Sequence, residues 1–310
     1  MAAAGALVAL LVLAVALRPS AGDGPDAEAA ARTVAAASGV DLAEAAERAG
    51  APEFTITPER RAMARLSRAR VAVTNGGGRR PMVALTFDDG PGPLTMNVLA
   101  VLARLEATAT FYVQGTMIER RPATLRAIAA GGHEIGVHGW NHGDLTGMDR
   151  EEIAREVHDT RDLIREVAGV DPGTMRPAYG AVDRRVLALA APARLVAVLW
   201  NVDTGDWRGV ETEAIVRHVL ENAEAGSIVL MHDGDERRRP TVRALPAIIA
   251  GLRAKGLEPV TVARLLSEDP PAELRDRPAA AAPGATTDGE ELSAPGPGPS
   301  SSAGEPGAGE

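Results

Sequence analysis

Between residues 81 and 267 the chain alternates short apolar runs with longer stretches whose apolar positions recur every three or four residues. The short runs, at 82–87, 109–113, 134–137, 174–177, 195–200, 227–231 and 257–260, have the length and flanks of strands. The long stretches, at 95–106, 122–131, 150–168, 182–190, 211–225, 241–254 and 261–267, carry the helical period. Strands that alternate with helices predict a parallel sheet, because a parallel neighbour needs a crossover connection. Seven such units predict an α/β fold whose sheet curls into a barrel rather than staying open. In that arrangement the carboxyl ends of the strands share one face.

The flanks read differently. Residues 2–17 are uncharged and apolar, which is short of the roughly 20 residues that span a bilayer. They resemble the apolar core of a secretory signal, with small-residue cleavage points after Ala16 or Ala21. An uncleaved membrane tether is the alternative, and no Lys or Arg precedes the run. Residues 22–80 predict a helical spacer or small helical cap, with helices near 26–37, 41–49 and 58–70 and a flexible joint at Asn75-Gly76-Gly77-Gly78. Residues 268–310, rich in Pro, Gly, Ala and Glu, cannot bury enough apolar area to offset ordering, so a disordered tail is expected.

Composition narrows the chemistry. The chain has 310 residues, 45% of them apolar, which allows a sizeable core. It has no cysteine, so disulfides, thiolate metal sites and cysteine nucleophiles are excluded, and any metal must be held by His and carboxylates. With 33 basic and 42 acidic residues it lacks the basic footprint of a nucleic-acid binder. From residue 270 onward there are seven acidic residues against two basic ones, so −5 of the net −9 lies in the tail. Seven of the eight aromatic residues fall between 87 and 207, where the organised site is therefore sought.

Polar residues cluster where the strands end. The first strand runs into Asp88-Asp89-Gly90-Pro91, and the third into His138 with His142 four residues on. The fourth leads to Arg176 and Tyr179, the fifth to Asp206 and Trp207, and the sixth through Leu230 to His232. Two histidines and one carboxylate can hold a divalent metal while leaving a position open for water. An iron(II) oxygenase could use the same donor set. Adjacent Asp88 and Asp89 leave a strand in opposite directions, so one can bind metal and the other can serve as a base. A solvated Asp-Asp-Gly-Pro turn is the plain alternative. Arg176 can neutralise and orient that base. Asp206 can hold His232 in one tautomer and raise its pKa, so that His232 protonates a leaving amine. The backbone N–H of Tyr179 can face an oxyanion. Trp207 and Leu230 can line a small apolar pocket, or simply be core. His133 reads as a turn or outer-shell residue, and His158 and His218 as solvent-exposed.

The ordered motifs TFDDGPG, HGWNH, RPAYG, DTGDW and LMH resemble those of the polysaccharide deacetylases of carbohydrate esterase family four, over residues 81–267. The resemblance implies a distorted barrel of about seven strands and a divalent metal, zinc foremost, with cobalt or manganese as alternatives. It implies Asp88 as general base, with Asp89, His138 and His142 as metal ligands. It further implies Arg176 as the positioner of the base, the Tyr179 amide at the oxyanion, and His232 tuned by Asp206 as general acid. Trp207 and Leu230 become the acetyl-methyl pocket. The implied substrate is an N-acetylated polysaccharide or oligosaccharide of a cell wall or extracellular matrix, acted on by an exported monomer. An O-acetyl esterase on xylan and a non-catalytic glycan-binding module are the rival functions. Two positions depart from the family pattern. Gly139 stands where a Ser or Thr is usual, which is expected to loosen the metal turn, and Ala178 replaces a second proline, which is expected to loosen the loop carrying Tyr179.

Overall fold

The computed structural model describes residues 57–275. The apolar leader, the helices expected at 26–37 and 41–49 and most of the acidic tail lie outside the described residues. The described chain begins with α1 (Pro58–Leu66) and β1 (Ala72–Val73). It continues through β2 (Met82–Gly90), α2 (Thr95–Arg104), β3 (Thr110–Val113), α3 (Gly115–Arg120), α4 (Pro122–Ala130) and β4 (Glu134–Val137). Next come α5 (Arg150–Ala168), β5 (Thr174–Met175), α6 (Arg184–Ala190), β6 (Val196–Val198), β7 (Val202–Asp203) and α7 (Thr212–Asn222). The last elements are β8 (Ile228–His232), α8 (Arg239–Ala254), β9 (Glu258–Val260), α9 (Val262–Glu268) and α10 (Ala272–Arg275).

The strands form one nine-stranded sheet in the order β1-β6-β5-β4-β3-β2-β8-β7, with β9 also pairing β2. Every registered pairing is parallel. Among the described residues the path ends at β1 and β7 without a ladder between them, so the sheet there is curled but not closed. β2 is its centre. Eight of its nine residues are buried, as expected of a strand covered on both faces. Phe87 of β2 stacks on Phe111 of β3 with ring centroids 5.1 Å apart. The helices close over this core through Val98, Leu102, Ile128, Ile153, Leu245 and Ile248.

α5 shows how local chemistry sets an element's ends. Asp149 caps its first amides and Glu152 reaches back to the Asp149 amide, which makes a capping box. Gly169, at φ 65°, ends the helix in the left-handed region open to glycine.

Three expectations need correcting here. The stretch 75–78 is a packed turn, not a flexible joint. Gly76 N–H donates to the Gly226 carbonyl (2.7 Å) and Gly77 N–H to the Asp269 carbonyl (2.8 Å). A Cβ on Gly77 would lie 2.3 Å from the Asp269 carboxylate, so glycine serves here for close approach. Residues 58–80 are also no spacer. α1 buries Met63 and Leu66 in a cluster with Val262, Leu265 and Leu266, and β1 extends the sheet beside β6. The tail likewise begins later than residue 268, because buried Asp269 accepts from the amides of Arg79 and Arg80 (2.6 and 2.9 Å). Among the described residues no helix is long and apolar enough to cross a membrane.

Candidate active site

Strand register creates the site. In the β2–β8 ladder, Asp88 is the partner of His232 and Thr86 of Leu230. β4 runs into His138, whose amide donates to the Val113 carbonyl, and Arg176 follows β5 with its amide on the Val137 carbonyl. The ends of β2, β4, β5, β7 and β8 thus bring the expected polar residues to one face.

Asp88 and Asp89 do not point apart as plain strand geometry implies. Asp88 stays extended in the ladder, whereas Asp89 turns to φ 72°. As a result both carboxylates face one imidazole. His138 Nε2 is 3.8 Å from Asp88 Oδ2 and 3.4 Å from Asp89 Oδ1. His142 Nε2 is 3.2 Å from the same Asp89 oxygen. Asp89, His142 (φ 64°) and Tyr179 (φ 61°) are three of the six non-glycine residues at positive φ among the described residues. Left-handed backbone at such residues costs free energy and persists where the surroundings impose it, and half of it is concentrated here.

Asp89, His138 and His142 offer one donor atom each, all within 4.8 Å of one another. This set fits a divalent cation, and the His138 ring is held for it. Its Nδ1 lies 2.7 Å from the Arg176 carbonyl, so Nδ1 donates and Nε2 is the nitrogen turned to the cluster. Burial acts to raise the Asp89 pKa, but the His138 hydrogen bond and the nearby imidazole charges outweigh it and hold Asp89 well below the usual carboxylate range. Burial and the neighbouring His138 charge lower His142. Burial acts to lower His138, but the charges of Asp88 and Asp89 outweigh it and raise it, so a cation would bind there by displacing the Nε2 proton and leaving the ionised carboxylate and neutral imidazoles that a metal takes.

Arg176 is fully buried. Its Nη1 donates to Asp88 Oδ1 (2.8 Å) and Thr86 Oγ1 (2.7 Å), and its Nε and Nη2 donate to the Val198 and Leu199 carbonyls (3.2 and 3.0 Å). The guanidinium also stacks on Tyr112, 4.3 Å from the ring centroid. Removing one partner of such a buried pair leaves a charge uncompensated, at a cost of about 3–5 kcal/mol. Arg176→Met is therefore expected to lower the thermal midpoint by on the order of 10 °C, read by calorimetry. A shift under about 2 °C would contradict this account of the pair.

On the other side, His232 Nδ1 lies 2.7 Å from Asp206 Oδ1. The second Asp206 oxygen accepts from the His232 amide (2.9 Å) and from Thr241 Oγ1 (2.8 Å). Burial pulls the His232 pKa down, but Asp206, Asp88 and Asp89 outweigh it and push it up to about 9. His232 thus carries a proton at neutral pH, with Nδ1 committed to Asp206. Next to it, Asp233 is pushed up to about 7 by burial first and then by the charges of Asp89 and Asp88, against the bond from Thr95.

Tyr179 and Trp207 are the two large hydrophobic residues exposed among the described ones, at 68% and 43%. Tyr179 meets the His142 ring edge-on at 4.5 Å, and Arg208 stacks on Trp207 at 4.4 Å. Leu230 is buried below His232 on β8. His133 lies at the opposite, amino-terminal end of β4, where its Nδ1 accepts from the Ala109 amide (3.3 Å) and burial lowers it to about 4. It is not an outer-shell residue of the site. His158 is half-buried rather than exposed, whereas His218 is exposed.

A family model for polysaccharide deacetylase matches residues 75–198. A peptidoglycan-N-acetylglucosamine deacetylase of Bacillus cereus is 37% identical over 188 residues, 60% of this chain and 88% of that protein. The chain belongs to the polysaccharide deacetylase family. A chitooligosaccharide deacetylase of Bradyrhizobium is 40% identical over 189 residues, 57% of this chain and 86% of the relative. The crystal structure of the Bc1960 peptidoglycan N-acetylglucosamine deacetylase superposes with a TM-score of 0.61 at 34% identity, covering 63% of this chain and 92% of the other. The curled parallel sheet is thus the polysaccharide deacetylase fold. Four further curated relatives are longer, and the chain spans 38–39% of their length.

The motif reading missed Thr86, Gln114, Glu156 and Thr241. Gln114 Nε2 donates to Asp89 Oδ1 (2.8 Å), Thr86 braces Arg176, Thr241 braces Asp206, and Glu156 accepts from the amides of Trp140 and Asn141. Glu156 carried a signal. It is an acid inside the apolar stripe of α5, with Ile153, Val157, Thr160 and Ile164.

Proposed function

We propose that this protein is a metal-dependent hydrolase that removes N-acetyl groups from N-acetylglucosamine-type residues of a cell-wall or extracellular polysaccharide. The observation that supports it best is the placing of two opposed proton-transfer groups around one metal-fitting cluster. Asp88 is held by Arg176 on one side, and His232 by Asp206 on the other.

In this reading Asp89, His138 and His142 hold the cation. Zinc is the first choice, because it takes two imidazoles and a carboxylate with a position left open. Cobalt and manganese are the alternatives. When bound, the cation supplies a Lewis acid beside the scissile acetyl group. Asp88 takes the proton of the attacking water, and Arg176, itself bonded to Thr86, holds it in place from behind. The backbone N–H of Tyr179 stabilises the oxyanion. His232 gives its proton to the sugar nitrogen, so acetate and a free amine leave. Trp207 and Leu230 take the acetyl methyl, and the exposed Tyr179 ring faces the glycan. Residues 2–17 direct the protein to the envelope or outside it.

His232 must be protonated to act. Activity therefore falls as pH rises through the His232 value of about 9. Asp206→Asn removes the charge that raises that value and is expected to move the alkaline limb down by about 1–3 pH units. A kcat profile with an unmoved limb would exclude His232 as the acid. The substrate class is tested by initial rates on N-acetylglucosamine oligomers, peptidoglycan and acetylxylan. N-deacetylation requires the amide substrates to be preferred. A faster rate on acetylxylan with none on the amides would make the protein an O-acetyl esterase.

A further inference from the structure

The turn that joins the two histidines is gripped from both sides. From α3, the amides of Gly115 and Thr116 donate to the carbonyls of Gly139 and Trp140 (3.1 and 3.0 Å). From α5, one oxygen of Glu156 accepts from the amides of Trp140 and Asn141 (2.5 and 3.3 Å). Glu156 is buried, and a carboxylate in that setting binds amides strongly. Two glycines make this grip possible. A Cβ on Gly139, which stands at φ 81°, would lie 2.9 Å from the same Glu156 oxygen. A Cβ on Gly115 would lie 2.3 Å from the Trp140 ring.

The two imidazoles differ in how they are fixed. His138 is held through its own Nδ1 by the Arg176 carbonyl. The His142 ring meets Asp89, the edge of Tyr179 and the edge of His138. Its place therefore follows from the backbone just before it, which is the backbone that Glu156 holds. We infer that Glu156 is a positioning residue for the metal site, whose carboxylate fills the space beside Gly139 and sets where His142 presents its nitrogen. The loosening expected from Gly139 is thereby offset by an acid from α5. This inference rests on the reading of Asp89, His138 and His142 as metal ligands.

The test is zinc affinity of the full chain, measured by competition with a chromogenic chelator, beside the thermal midpoint of the metal-free protein. Glu156→Ala is expected to bind zinc about 10–100-fold more weakly, the range typical for outer partners of ligands. Glu156→Gln keeps an oxygen that accepts both amides and is expected within about threefold of the wild type. A folded Glu156→Ala protein with wild-type zinc affinity overturns the inference, even if its midpoint falls. Should that variant not fold, Glu156→Asp, which draws the oxygen back by one methylene, is judged by the same two outcomes. Amide exchange at Trp140 and Asn141 in the unmodified chain reads the grip directly. Slow exchange, slowed further by zinc, supports it, and fast exchange in the zinc-loaded protein overturns it. A wild-type chain that binds no zinc sinks the metal-site reading along with this one. Wild-type binding with unchanged variants sinks this one alone.

Discussion

Asparagine in place of Asp88 lowers acetate release by about 10²–10⁴-fold, the range general-base groups contribute. Asparagine keeps an oxygen that accepts from Arg176 Nη1, so the geometry around Thr86 survives. It cannot take a proton at neutral pH. The loss should fall on kcat, because Asp88 lies 3.8 Å from His138 Nε2 whereas Asp89 approaches both imidazoles more closely. Zinc stoichiometry should therefore stay at the wild-type level. The variant carries a folding penalty too, since the buried guanidinium loses its counter-charge, and rates must be compared below its thermal midpoint. A near-normal rate in a zinc-loaded Asp88→Asn protein would mean that another group takes the proton.

The second large effect is on the metal. His138→Ala and His142→Ala should each weaken zinc binding by more than about 100-fold, beyond what outer partners cost. Their stabilities should differ. The His138 ring is buried and bonded to the Arg176 carbonyl, so its removal leaves a cavity and an orphaned carbonyl. The His142 side chain is 28% exposed, and its loss should leave the metal-free midpoint almost unchanged. Zinc competition and calorimetry on both variants separate the two effects. Undiminished zinc binding by His142→Ala would remove that residue from the ligand set.

Much of this was legible in the chain. The apolar run of β2 and the helical periods around it carry the parallel sheet, and the polar residues at the strand ends predict a shared face. What escaped did so for physical reasons. β1 and β7 have two residues each, too few for a period to show. The run Gly76-Gly77-Gly78 reads as slack, yet Leu265 and Asp269 come too close for side chains at Gly76 and Gly77, and Gly78 stands at φ 72°. The directions of Asp88 and Asp89 depend on one backbone angle that the Asp-Asp pair does not reveal. Thr86 reaches Arg176 across 90 positions and Thr241 reaches Asp206 across 35, so both supports exist only once the sheet is assembled. The Asp89-His138-His142 cluster was readable from motif spacing; Thr86, Gln114 and Thr241, which brace the residues around it, were not.

The most direct measurement is acetate release by the full chain from N-acetylglucosamine oligomers, metal-stripped, zinc-restored, and zinc-restored as Asp88→Asn. The account predicts acetate, with one free amine per acetate, only from the zinc-restored wild type. Folded, zinc-loaded protein that releases no acetate from these oligomers or from peptidoglycan would contradict it.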